Sequence, residues 1–228
     1  MPPVARPIPR FVADSAQESL PYGRWAERLT ESFAGACEAL AGEAGAPLEP
    51  ESVTFFPERG WGGRYYLPLT GRSPGEDDEE GPIEFFGHIS FARPSAEKEP
   101  SDLVASVDFT DVVADDNPDW KIDLNEDVIG AWRSDAGRGG DVTLVWGIPL
   151  VRGAIAATAE LGQDVLDQTP LQEGRFTLVA VDAVKGFGDD LFLEVKLWDK
   201  RLNEIASESL YEEAGADEDG DPAARPES

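Results

Sequence analysis

Three residue types that carry much of protein chemistry are nearly missing from this chain. Its 228 residues include one His, one Cys and one Met. A lone cysteine, Cys37, excludes an intrachain disulfide and any thiolate zinc cluster built from one chain. It falls among apolar residues of a helical pattern, so burial as a small apolar side chain is expected. Lys is scarce as well, at positions 98, 121, 185, 196 and 200 only, and Arg supplies most of the positive charge. With abundant Ala, Gly and Pro, that bias points to a GC-rich bacterial source, and a salt-adapted source would equally account for the chain's acidity. No apolar run approaches the length of a membrane span, and the first residues hold no secretory apolar segment. A cytoplasmic protein without membrane contact is expected. The phosphate-loop pattern GxxxxGK[ST] and the nucleophile elbow GxSxG are both absent.

What the chain has in excess is acid. Forty-six Asp and Glu oppose 19 Lys and Arg, for a net charge of −27. Such a chain repels phosphates, so direct nucleic-acid binding is not expected. Hydrophobic residues make up 41% of the chain, enough for a real core.

Residues 1–21 hold five Pro and read as an extended arm, and 212–228 read as a disordered acidic tail, leaving one domain over 22–211. The run "GEDDEEGP" around Asp77–Glu80 is expected to stay solvated. Trp25, Leu29, Phe33, Ala36 and Leu40 recur at helical spacing, with Gly45 and Pro47 as the stop. Beyond Pro50 the period becomes two. Strands are expected over 64–69, 83–92, 103–109, 141–150, 154–161, 175–184, 191–198 and 204–211, the last two as a hairpin. The segment 154–168 also suits a helix, and the strand is preferred. Strands in series without intervening helices predict an α+β fold. Its N-terminal amphipathic helix packs on a strongly bent, mainly antiparallel β-sheet, barrel- or sandwich-like.

One stretch, "DDNPDWKIDLNE" (115–126), places Asp115, Asn117, Asp119, Asp123 and Glu126 at places one, three, five, nine and twelve. In that spacing, and with Ile122 at place eight, it resembles the calcium loop of the EF-hand family. The resemblance implies those five residues as calcium ligands. Trp120 stands where the loop needs Gly, and Pro118 restrains place four. "WKIDL" and "VIGAW" read instead as two strands around a turn at "NED", with Trp120, Ile122 and Leu124 facing the core. On that preferred reading the chain takes no metal and no other cofactor.

His88 alternates with Glu84, Phe86 and Ser90 on one strand face, the arrangement a general base oriented by a carboxylate would need. Arg59, Trp61, Arg64 and Tyr65, around the glycines of "RGWGGRYY", have the chemistry of a recognition surface. "GRGGD" (137–141) reads as a turn. The leading functional expectation is a non-enzymatic binding or assembly protein holding a protein partner or small ligand. The alternatives are a small barrel enzyme of isomerase, cyclase or hydratase type using His88, a calcium module through 115–126, and a nucleic-acid mimic.

Overall fold

The computed structural model describes residues 23–74, 82–93, 98–133, 139–181 and 193–210. The arm, the acidic tail and the acidic run near 77–80 lie outside these residues. Among the described residues no helix is long and apolar enough to cross a membrane.

Helix α1 spans Ala26–Ala44, preceded by a 3-10 turn at Gly23–Trp25. Leu29, Phe33, Cys37 and Ala44 are its buried positions, a spacing that keeps one stripe on one face. It ends where Gly45 turns left-handed, at φ 78°, a conformation glycine adopts without a Cβ clash. Burial pushes the Cys37 thiol up to about 12, so it stays protonated and inert.

Every strand pairing among the described residues is antiparallel, and the strands form three sheets. The first holds β1 (Thr54–Phe55), β2 (Arg59–Trp61), β3 (Arg64–Arg72), β4 (Glu84–Ala92) and β5 (Ser101–Thr110) in the order β1-β3-β4-β5, with β2 added to β3. Gly62 and Gly63, at φ 57° and 81°, close the β2–β3 hairpin. The second sheet runs β10 (Phe176–Val181), β7 (Gly139–Pro149), β6 (Ile122–Arg133). The third runs β12 (Glu204–Leu210), β11 (Leu193–Trp198), β8 (Ala156–Leu161), β9 (Asp164–Pro170).

Period-two alternation stacks these sheets into layers. Leu67, Leu69, Phe85, Ile89 and Phe91 face α1 and form the first core with Leu29 and Phe33. Tyr66 of β3 and Phe56 meet Val142, Leu144, Trp146 and Val179 of the second sheet in a middle core. The opposite face of that sheet, with Val145, Phe176 and Leu178, packs on Ala157, Ala159, Leu193, Val195 and Leu197 of the third. Each fully buried Leu or Phe contributes roughly 1.5–3 kcal/mol. The second and third sheets also meet at both edges. Val179 N donates to Asp167 Oδ2 at 2.8 Å, and Lys121 N donates to Glu208 Oε1 at 3.0 Å. These seams are side-chain bonds and not ladders, so the described residues form a sandwich here and not a closed barrel.

The fold class expected from the sequence is the one observed, and three local readings change. The "NED" turn does not exist: Asn125, Glu126 and Asp127 pair with Trp146, Val145 and Leu144 inside one long strand, β6. A bulge between Val128 and Gly130 bends that strand without ending it. Residues 154–168 hold strand and not helix, but they supply two strands, joined where Gly162 takes φ 63°. The "GRGGD" stretch reaches into β7, which starts at Gly139.

Candidate functional site

The two sheets that share the middle core do not overlap completely. β6, the last strand of the second sheet, lies over β4, while β5 extends past it as the last strand of the first sheet. On β5, Leu103, Ala105, Val107 and Phe109 pack toward α1, and the alternate residues Val104, Ser106 and Asp108 are exposed. Between this shelf and β6 lies a cleft of about 120 Å³, lined by Phe86, Ser106, Asp108, Glu126, Asp127 and Trp146 among others.

His88 sits under β6 and is 6% exposed. Its Nδ1 lies 3.0 Å from Asp127 Oδ2, although the ring N–H is not aligned with that oxygen. The contact is thus one of proximity and not a straight hydrogen bond. Ser106, the cross-strand neighbour of His88, donates its hydroxyl to the same Oδ2 at 3.0 Å. The Tyr66 ring stands 5.5 Å from the imidazole. Burial pushes the Asp127 carboxyl up, but His88 and the Ser106 hydroxyl outweigh it and hold the group below the usual aspartate range. Here the carboxylate is central and bridges Ser106 to His88. A nucleophilic triad needs the imidazole in the middle, to take the hydroxyl proton, so Ser106 is not activated. The cleft is also smaller than the roughly 300–1,000 Å³ of ordinary small-molecule sites.

The calcium-like stretch is put to a different use. Asp115 Oδ2 lies 2.8 Å from Arg72 Nη1, at the end of β3. Arg72 Nε is 3.6 Å from Glu84 Oε2, and Asp123 adds its field from β6. Burial, then repulsion from Asp123, raises the Glu84 carboxyl to about 7, with Arg72 pulling the other way. Burial raises Asp123 as well. Asn117 turns its amide back on Val113 O at 2.8 Å, Asp119 faces water, and Glu126 lies up the strand beside the cleft. Trp120 is half-buried. The five oxygens therefore do not converge, and no group of three or more His, Cys, Asp or Glu among the described residues is arranged to hold a metal ion.

The aromatic-arginine surface is likewise occupied from within. Arg59 pairs with Asp167, and Arg64 donates to Ser90 Oγ at 3.1 Å and to Asp102 O at 2.7 Å. Tyr65 stacks on Phe91, and Trp61 packs against the middle core. Arg93, which carries no signal in the sequence, lies 4.8 Å over the Tyr65 ring and pairs with Glu58. Asp127, Ser106 and Arg72 carry none either. Ser106 and Asp127 are 21 residues apart and Arg72 and Asp115 are 43 apart, and only the register of the strands and sheets joins them.

Comparison with known proteins finds no matching protein family, no matching curated protein and no matching solved structure.

Proposed function

We propose that the chain is a non-enzymatic binding protein that holds a protein partner on the shelf formed by β5 beside β6. One observation carries this reading: β5 ends its sheet with a ten-residue strand whose outward face is uncovered by the described residues. Val104 is 59% exposed there and Val128, on β6, is 50% exposed. Exposed apolar side chains beside a cleft at a strand edge are what recognition by strand addition uses. The small cleft and the inactive order of Ser106, Asp127 and His88 speak against a small-molecule enzyme.

A photo-crosslinking residue placed at Val104 tests this, with Leu202, 40% exposed at the β11–β12 turn, as control. A discrete adduct from position 104 in living cells, absent from position 202, supports the shelf. Identical adduct patterns from both positions would remove it.

A second reading retains the His88–Asp127 contact as a base and its orienting carboxylate. It requires that His88→Gln abolish a cellular function while leaving the fold and the position-104 adducts unchanged.

A further inference from the structure

We propose that the cleft between β5 and β6 receives the cationic end of an Arg or Lys side chain, carried by an extended segment of the partner that pairs with the open edge of β5. This rests on the binding reading above and names the chemistry of the partner.

The lining of the cleft sets the chemistry. Asp108 enters from β5 and Asp127 from β6, so carboxylates stand on both rims, with Glu126 beside them and no Lys or Arg in the lining. Phe86 and Trp146 supply aromatic walls. Carboxylates with aromatic faces suit an organic cation, through charge-assisted hydrogen bonds and cation–π contact. A bare metal ion needs its oxygens gathered around one point, and no such gathering exists among the described residues. A guanidinium spreads five donors over a plane and a Lys ammonium rotates three, so both suit acceptors set apart.

Size and neighbours agree. About 120 Å³ accommodates the end of one side chain and little more. Trp146 is wholly buried in the wall, and its indole N–H has no acceptor among the described residues. A strand added beside β5 would place alternate side chains on the same face as Val104, Ser106 and Asp108. Its backbone would meet the edge of β5 that no described strand pairs. The net charge of −27 steers a basic segment toward the molecule and repels an acidic one.

The test uses the full chain and synthetic seven-residue peptides of alternating Val and Thr, with Arg, Lys, Gln or Glu at the centre, titrated calorimetrically at fixed ionic strength. The Arg and Lys peptides are expected to bind saturably and to slow amide exchange in β5. The Gln peptide should bind about tenfold more weakly, and the Glu peptide should not bind. Asp108→Asn should weaken the Arg peptide by a similar factor, and Asp127→Asn likewise. Asp108 is the cleaner variant, because among the described residues it bonds only the next backbone N–H. Asp164→Asn, exposed at the start of β9, should leave binding unchanged. Equal affinity for the Arg and Gln peptides, equal weakening by Asp164→Asn, or no binding of any peptide overturns the proposal. In each case adducts at position 104 decide separately whether the shelf binds something else.

Discussion

His88 on β4 and Asp127 on β6 meet at 3.0 Å, Nδ1 to Oδ2, and this contact joins the first sheet to the edge of the second. With the Ser106 hydroxyl on the same oxygen, one carboxylate ties three strands together. Its pKa lies below the ordinary aspartate value, so the stability it provides is present above that value and lost as the pH falls through the folded one. Asp127→Asn is expected to cost about 1–3 kcal/mol at pH 7. The gap from the parent should narrow in acid. Urea melts of both proteins at a series of pH values measure it, and a gap that does not depend on pH would contradict the ionic role of Asp127.

Glu84 behaves with the opposite sign. Its carboxyl titrates near 7 in the fold against an ordinary 4.5. The folded chain therefore holds this proton more tightly than the unfolded chain does. The resulting stability is complete below about 4.5 and is lost as the pH rises to about 7. Glu84→Gln is expected to melt higher than the parent at pH 8, by the equivalent of about 1–3 kcal/mol. Near pH 4 the two should melt together. Calorimetric melts at the two pH values read the difference directly.

Gly87 has no room for a side chain. A Cβ there would stand 2.1 Å from Ser106 O and 2.8 Å from Val107 Cα, both of them backbone on β5. Gly87→Ala is expected to cost about 3 kcal/mol or more, because β4 and β5 must separate. The same shift moves Ser106 off Asp127. Amide exchange in β5 should accelerate selectively, and an acceleration spread evenly over all three sheets would sink this account.

Calcium should produce no selective response. Asp115 is paired with Arg72, Asn117 with its own loop, and Asp123 and Glu126 are held apart along one strand. Trp120 reports from within the stretch. Its emission during a calcium titration, at constant ionic strength and with magnesium as control, should follow only the loose attraction any divalent ion has for this chain. A saturable response specific to calcium, lost in Asp115→Ala and Glu126→Ala, would restore the ion-binding loop.

Much of the fold is legible in the sequence because periodicity is a local signal. The stripe of Leu29, Phe33 and Cys37 needs only neighbours along the chain, and so does the alternation of "LEVKLW" (193–198), buried at every second place. β6 departs from its expected reading for a physical reason. Asn125, Glu126 and Asp127 look like a turn, yet they belong to an edge strand beside a polar cleft, where polar side chains need not be buried. β9 is hidden for the same reason, since Asp164, Asp167 and Gln168 sit on the edge of the third sheet. His88 is visible as the single histidine, but its carboxylate comes from a different sheet. The contacts of the aromatic-arginine loop with Asp167, Ser90 and Phe91 inside the chain are set by sheet register and are not legible in the sequence.

The edges of β5 and β6 that no described strand pairs also bear on how copies of this molecule behave together. Exposed strand edges are templates on which identical chains join, and many proteins guard them with Lys, Pro or a bulge. Here β6 carries a bulge between Val128 and Gly130, Asp108 and Asp127 stand beside the edges, and mutual repulsion among copies at −27 adds to the guarding at a distance. That protection depends on the medium. Near the isoelectric point of about 4.1 that the sequence gives, the repulsion vanishes.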